Sequence, residues 1–171
     1  MKTYKFYVFV LITGCLAINT FAQNKQAKTN AKTAEIRALI ENQNFNFTAQ
    51  YANPQGGGHK YLTSDYSLTI KKDSLIAYLP YFGRGYFDIP YNPTDDGIKF
   101  TSTKFSYKVT EKRKGGWDVI IVPSDVKYYS RINIYVSQSG SANADFTITN
   151  RSFISFDGYV EANKAPKKQQ P

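Results

Sequence analysis

The residues that most often carry acid–base or metal chemistry are scarce in this chain. Among 171 residues there is one histidine, His59, and one cysteine, Cys15. His59 follows three glycines in a loop, and no carboxylate lies near it in sequence, so we expect a solvated residue rather than a general base. A single histidine without a cysteine partner cannot form a usual zinc site. We therefore predict no metal, no cofactor and no cysteine nucleophile.

Carboxylates remain as candidates for catalysis. A pair of them could hydrolyse a glycosidic bond, but most lie at turns or on the polar side of a strand. Asp95-Asp96-Gly97 lacks the alternating ligands and the closing glutamate of an EF-type calcium loop. The sequence also lacks a Gly-x-Ser-x-Gly elbow. The carboxylates are Asp65, Asp73, Asp88, Asp95, Asp96, Glu111, Asp118, Asp125, Asp145, Asp157 and Glu161.

The segment Tyr78–Tyr86 concentrates groups that could bind a ligand. Pro80 has no N–H and should end the preceding strand, and Gly83 and Gly85 allow a sharp turn around Arg84. One interpretation is an architectural corner that closes one end of a β-fold. The other is a ligand-facing corner, with Arg84 as the single positive group in an aromatic wall. The candidate site residues are Tyr78, Pro80, Tyr81, Phe82, Gly83, Arg84 and Tyr86.

The basic excess of the chain does not indicate nucleic-acid binding. Lys and Arg exceed Asp and Glu by 22 − 13 = +9. Phe105 and Tyr107, with Lys104 and Lys108 beside them, resemble a base-stacking platform. The other lysines are spread over turns and the tail, where they favour solubility. We predict no nucleic-acid partner and at most a weak attraction to anionic lipid or polysaccharide.

The N-terminus has the features of an export signal. Lys2 and Lys5 precede an apolar run, residues 6–18, that is too short to span a bilayer comfortably. We predict a signal peptide over residues 1–22, cleavage after Ala22, and no transmembrane segment afterwards. The protein would be periplasmic or secreted. In the alternative, Ile12-Thr13-Gly14-Cys15 is a lipoprotein box and Cys15 anchors the protein to the outer membrane by a lipid.

The mature chain is predicted to be one domain between two loose ends. Residues 23–32 hold no apolar residue larger than alanine and predict a flexible tether. Thr33 could cap a short helix over Ala34–Asn42, and a single β-domain with this helix would cover residues 33–161. The Lys-, Gln- and Pro-rich residues 162–171 predict a disordered tail.

Residues beyond Phe45 alternate with a period of two, which is typical of strands. Phe45, Phe47, Ala49 and Tyr51 share one face in this pattern, and residues 117–122 are apolar enough to be covered on both faces. A short strand is also predicted near Tyr86–Ile89. About eight or nine strands with turn residues between them predict an all-β antiparallel meander. We expect a small or incomplete barrel with the helix against it, or alternatively a two-layer sandwich.

Several motifs resemble a Bacteroidetes family of exported domains of unknown function, number 4251. The most specific is Ala77-Tyr78-Leu79-Pro80-Tyr81-Phe82-Gly83-Arg84, and Asn150-Arg151 before Ile154-Ser155-Phe156-Asp157-Gly158 is another. The resemblance covers roughly residues 45–160. It implies an exported Bacteroidetes protein and transfers no activity. Gly85 stands where alanine is typical of the family, so we expect a looser corner here.

These patterns predict a non-enzymatic domain of the cell envelope. Our first hypothesis is that it binds a small apolar or amphipathic ligand, or a partner, near the Tyr78–Tyr86 corner. The alternative is a purely structural or protein-interaction module of the envelope. A glycan-directed hydrolase that uses paired carboxylates is the third hypothesis.

Overall fold

A computed structural model describes residues 26–87 and 97–163 of the chain. Helix α1 covers residues 26–41. Nine strands follow: β1 (Phe45–Pro54), β2 (Lys60–Ile70), β3 (Leu75–Leu79), β4 (Ile98–Ser102), β5 (Phe105–Glu111), β6 (Trp117–Pro123), β7 (Tyr129–Val136), β8 (Ser141–Ile148) and β9 (Ile154–Ala162). The predicted signal peptide with Cys15, the carboxylates Asp88, Asp95 and Asp96, and tail residues 164–171 lie outside the described ranges.

All nine strands form one antiparallel sheet in the order β4-β3-β2-β1-β9-β8-β7-β6-β5. In such a sheet, strands an even number of places apart run in the same direction, so the two edge strands β4 and β5 are parallel. Only Thr103 and Lys104 separate them in sequence. Two residues bridge no more than about 11 Å, so the sheet must coil until the end of β4 lies close to the start of β5. The predicted small barrel is therefore confirmed, and it is nearly closed.

The bend between β4 and β5 is held by Asp125, which lies in the β6–β7 loop. Its carboxylate accepts hydrogen bonds from the Ser102 hydroxyl and from the backbone N–H groups of Thr103 (2.8 Å) and Lys104 (3.1 Å). These bonds stabilise the ionised form and lower the pKa of Asp125 to about 2. Above that pH, the ionised Asp125 ties the two edge strands to the β6–β7 loop.

The inner face of the sheet forms one continuous core. On β7 and β8 the predicted alternation is confirmed, because Ile132, Ile134, Ala144 and Phe146 are all buried. Phe146 also meets Phe156 of β9 edge to face, with ring centroids 5.6 Å apart. The barrel interior is thus filled by side chains of its own strands.

The predicted alternation fails in the second half of β1. A register shift between Ala49 and Tyr51 turns Tyr51 outward and brings Ala52 inside. Such a bulge adds one residue to one strand, which reverses the faces of all residues after it. Outside the barrel, the Tyr51 ring stacks on His59 with centroids 4.4 Å apart.

Strand β6 also differs from its prediction. It lies second from one edge of the sheet rather than at its centre. Trp117, Val119 and Ile121 are buried in the core, whereas Ile120 and Val122 are half-buried on the outer face. Directly before the predicted strand Tyr86–Ile89, Gly85 forms an isolated bridge, and residues 88–89 of that strand lie outside the described ranges.

Helix α1 begins earlier than the sequence indicated. Residues 26–32, which we expected to be flexible, are helical. Alanine, glutamine and lysine are good helix formers, and an ion pair between Lys32 and Glu35 (3.1 Å) adds local support. The helix ends in a Schellman motif, in which Asn44 N–H binds the Leu39 carbonyl and Gln43 N–H binds the Ile40 carbonyl. No helix of the described chain is long and apolar enough to cross a membrane.

One face of the helix docks on the barrel. Ile36 and Ile40 are completely buried, and Gly140 in the β7–β8 turn leaves room for Ile36. The Tyr107 hydroxyl of β5 donates to the Ile40 carbonyl at 2.8 Å, and burial raises the pKa of Tyr107 far above its usual value of 10. A short helix of this kind depends on such docking for its stability.

Candidate functional site

The predicted corner Tyr78–Tyr86 lies where β3 ends and folds back against the β8–β9 loop. Strand β3 ends at Leu79, directly before Pro80. The Tyr81 hydroxyl donates to the Ser152 carbonyl (2.8 Å), and the Arg84 carbonyl is 3.1 Å away. The backbone N–H of Arg84 donates to Ser152 Oγ at 2.9 Å, and Ser152 N–H donates to the Arg84 carbonyl at 2.8 Å. These bonds fasten two loops that are about seventy residues apart in the chain.

The two glycines of the corner have different roles. A Cβ atom at Gly83 would overlap both the Tyr81 hydroxyl and Ser152 Oγ, so only glycine fits there without rearrangement. Gly85 forms an antiparallel bridge with Arg151, and Tyr86 N–H donates to the Asn150 carbonyl at 2.9 Å. The segment is therefore held by backbone pairing at Gly85.

The arginine that the structure buries at this corner is Arg151, not Arg84. Arg84 is exposed, and its backbone makes the contacts to Ser152. Arg151 is only 8% exposed, and its guanidinium lies 4.9 Å from the centroid of the Tyr81 ring. Burial raises the pKa of Tyr81, and its hydrogen bond to Ser152 and the charge of Arg151 oppose that change. Sequence pattern alone offered the Asn150-Arg151 match of the family resemblance as the only hint of this residue.

The outer side of the corner carries exposed rings. We call the exposed rings on this segment and on the chain segments that contact it the aromatic end; they are six of the large exposed hydrophobic residues of the described chain. Pro80 and Tyr81 are half-buried beneath them. Lys60 approaches the Phe82 ring to 5.4 Å, and Lys99 approaches the Tyr78 ring to 5.7 Å. The six residues are Tyr61, Tyr78, Phe82, Tyr86, Phe87 and Phe153.

The other predicted chemical groups that the structure describes make contacts within the protein. His59 interacts with the Asn53 side chain and stacks on Tyr51, which fits the loop residue that we expected. Within residues 26–87 and 97–163, no group of three or more His, Cys, Asp or Glu side chains is placed to hold a metal ion. Lys112 pairs with Asp118, and Arg37 pairs with Glu111, at partly exposed positions.

One pair of carboxylates does lie close together, on the outer face of the sheet. Asn143 faces Asp157 across β8 and β9, which makes Asp145 a diagonal neighbour of Asp157. Burial, and secondly the charge of Asp157, raise the pKa of Asp145. Asp157 itself accepts hydrogen bonds from the side-chain amides of Asn53 (2.7 Å) and Asn143 (2.8 Å). The members of this network come from three separate strands, so no local sequence pattern predicts it.

A groove of about 620 Å³ separates the start of α1 from the turns that follow β5 and β7. Three ammonium groups, those of Lys28, Lys32 and Lys114, line it together with Ser137 and Ser139. The two serine hydroxyls are 2.9 Å apart and bond to each other. The groove lies away from the corner, so its lysines do not contribute to the aromatic end.

Comparison with known proteins gives a family and no activity. The family model described as "Domain of unknown function (DUF4251)" matches residues 27–160. A similar solved structure is the crystal structure of a DUF4251 family protein from Bacteroides eggerthii DSM 20697. It is 13% identical, with a TM-score of 0.57, and the match covers 80% of this chain and 91% of that chain. A search of curated proteins found no match. The chain therefore belongs to the DUF4251 family, whose function is unknown.

Proposed function

We propose that this protein is a non-enzymatic binding domain of the cell envelope that holds a partner or an amphipathic ligand on the aromatic end. The observation that supports this proposal is the contrast between a firmly bonded frame and the rings displayed on it. Tyr81 and Ser152 fix the frame, and Phe82 and Tyr86 remain 43% and 63% exposed. Clusters of exposed aromatic side chains on a monomer are typical of interaction sites.

The filled barrel favours a surface contact over an enclosed pocket. Phe146, Phe156 and Leu68 occupy the interior and are completely buried. A small molecule would need a cavity of a few hundred Å³ to be enclosed. A ligand at this end would therefore lie across the rings and contact the basic groups Lys60, Arg84 and Lys99 at the rim. An amphipathic ligand or partner with acidic groups fits that combination.

The proposed location follows from the sequence. Export through the signal peptide would place the domain in the periplasm or outside the cell, and lipidation of Cys15 would place it at the outer membrane. Analysis of the mature N-terminus by mass spectrometry distinguishes the two. A chain that starts at Gln23 supports export as a free protein, and a lipid-bearing Cys15 supports the anchored form.

Native mass spectrometry of protein purified from the producing cells tests the binding proposal. We expect the wild-type protein to retain an additional mass and the Phe82→Ser/Tyr86→Ser variant to lose it. The matched control is Ile76→Ser, because Ile76 is an exposed apolar residue of β3 that lies outside the corner. Retention of the same mass by the double variant would rule out the aromatic end as the binding surface.

The alternative is a purely structural module, and one observation favours it. Tyr81 belongs to the most specific motif of the family resemblance, residues 77–84. Its hydroxyl bonds to Ser152 and so joins two loops of the protein instead of facing a ligand. In that case substitutions at Phe82 and Tyr86 would change neither bound mass nor any interaction in the cell. For the hydrolase hypothesis the Asp145–Asp157 pair is one candidate, and a screen of chromogenic glycosides with the Asp145→Asn variant as control tests it.

A further inference from the structure

The outer face of β6, β7 and β8 carries a cleft that is separate from the aromatic end. The cleft has a volume of about 300 Å³ and lies on the polar side of the sheet. Its polar side chains include a guanidinium, two carboxylates and two amides, and the half-exposed ring of Tyr135 lies at its edge. The polar residues that line it are Asp118, Arg131, Asn133, Asn143 and Asp145.

The cleft contains groups whose hydrogen-bonding capacity is not used within the protein. The side-chain oxygen of Asn133 is buried and accepts no hydrogen bond within the described chain. Asn133 lies directly opposite Asp145 on the neighbouring strand. Buried polar atoms nearly always have partners, so this acceptor would gain one if a water or a ligand hydroxyl reached the floor of the cleft.

Neighbouring side chains hold the floor of this cleft in place. Asn143 donates its amide N–H to Asp157, which also accepts from Asn53, so the carbonyl oxygen of the Asn143 side chain remains available. The strands β8 and β9 fix Asp145 next to Asp157, although like charges repel. Close carboxylates of this kind are found at functional sites as well as in structural networks.

We propose that this cleft binds a sugar unit of a neutral oligosaccharide. Vicinal hydroxyl groups both donate and accept, so they can satisfy acceptors such as Asn133 Oδ1 and the Asp145 carboxylate and accept from the guanidinium of Arg131. The flat C–H face of a sugar ring packs on an aromatic ring such as that of Tyr135. The volume suits one or two sugar rings at the lower limit of ligand sites.

The alternative ligand for this cleft is a divalent cation, since Asp and Asn oxygens bind calcium. Two features favour the sugar. The cation of Arg131 lies in the same lining, and charge repulsion there would oppose a second cation. The Asp157 carboxylate that could complete a calcium site is already held by two amides.

An oligosaccharide array followed by solution titration tests the proposal. Isotope-labelled protein is screened against immobilised neutral and acidic oligosaccharides, and each neutral hit is titrated while the side-chain amide signals of Asn133 and Asn143 are followed by NMR. We expect those two signals to shift, and the Arg131→Ala and Tyr135→Ala variants to bind at least about tenfold more weakly. Tyr159→Ala is the matched control, because Tyr159 is an exposed outer-face tyrosine outside this cleft.

Three outcomes would overturn the proposal. The first is an array on which no neutral oligosaccharide binds the wild-type protein. The second is binding that Arg131→Ala and Tyr135→Ala leave unchanged, with folding verified by circular dichroism. The third is a shift of the Asn133 and Asn143 signals on addition of calcium chloride alone, which would assign the cleft to a cation.

Discussion

The Tyr81 hydroxyl and the Ser152 carbonyl are 2.8 Å apart and join the end of β3 to the β8–β9 loop. Since the tyrosine hydrogen is directed at this carbonyl, the Ser152 hydroxyl can donate its own hydrogen to Tyr81 at 2.9 Å while accepting from Arg84 N–H. The network gives each of these groups a partner at a site where the chain reverses direction. It is the reason why the corner can expose rings without losing its shape.

Replacement of Tyr81 by phenylalanine should destabilise the fold. The ring and its contact with Arg151 stay, and the hydrogen bonds to Ser152 are lost, leaving half-buried polar groups without a partner. We expect a loss of about 1–3 kcal/mol in the free energy of unfolding, measured by urea denaturation. Tyr61→Phe is the control, because Tyr61 is 67% exposed. Equal stability of Tyr81→Phe and wild type would show that the network is not structural.

Gly83→Ala should lower the free energy of unfolding more than Gly85→Ala does. A methyl group at position 83 overlaps Tyr81 and Ser152, and the corner must move to admit it. We expect Gly83→Ala to lower the free energy of unfolding by about 2 kcal/mol or more, whereas position 85 tolerates alanine, as the family resemblance implies. Thermal unfolding of the two variants in parallel gives the comparison, and an equally stable pair would contradict it.

The sequence predicted the all-β barrel and left open whether it closes. Alternation in residues such as Ile132, Ile134 and Phe146 depends on local patterns, which a single sequence carries. The bulge that turns Tyr51 outward results from pairing with β2 and β9, which is a tertiary effect. Likewise, the parallel edges β4 and β5 follow from the strand order, which no local pattern encodes.

The backbone turn of the Tyr78–Tyr86 corner could be predicted from the sequence, whereas the contacts of its arginines could not. The glycines and proline of the corner have direct backbone consequences, so their position could be read from sequence. The roles of Arg84 and Arg151 could not, because burial of Arg151 depends on a loop about seventy residues away. The proximity of Asp145 and Asp157 could not be predicted either, because it results from the pairing of β8 with β9.

Acid should weaken the hydrogen bonds by which Asp125 holds the bend between β4 and β5. Its pKa is lowered in the folded protein to about 2 from an ordinary value of 3.8. A depressed carboxylate pKa contributes stability that is complete above the unfolded value and is lost as the pH falls from about 4 toward 2. We expect the unfolding midpoint in urea to fall over that range. The Asp125→Asn variant should be less stable at pH 7 and should lack this part of the acid dependence; a wild-type-like acid profile would exclude the mechanism.

The hydrogen bond from the Tyr107 hydroxyl to the Ile40 carbonyl should likewise make the free energy of unfolding depend on pH, here in alkaline solution. Burial raises the pKa of Tyr107 above its usual value of 10, so its stabilising effect is complete below that value and is lost at higher pH. We expect Tyr107→Phe to cost about 1 kcal/mol at pH 7 and to reduce the alkaline sensitivity of unfolding. Tyr135→Phe, on the exposed side of β7, is the control. An unchanged alkaline profile in Tyr107→Phe would refute this role.

The end of helix α1 offers a stabilising substitution. Gln43 has a φ of 51°, a left-handed conformation that favours glycine. We expect Gln43→Gly to raise the free energy of unfolding by about 0.5–1 kcal/mol. Gln43→Ala keeps the strained φ and should not raise the free energy of unfolding. If both variants were equally stable in chemical denaturation, the helix end would not adopt this motif in solution.

The central claim is that the aromatic end contacts a partner or ligand in the cell. Its most direct measurement is photo-cross-linking in the producing cells, with a photoreactive phenylalanine analogue at position 82 or 86 and, as controls, at Ile76 and Tyr159. The account predicts a distinct cross-linked product, identified by mass spectrometry, from positions 82 and 86 and none from the two controls. The same products from all four positions, or none from positions 82 and 86 in a folded and exported protein, would contradict it.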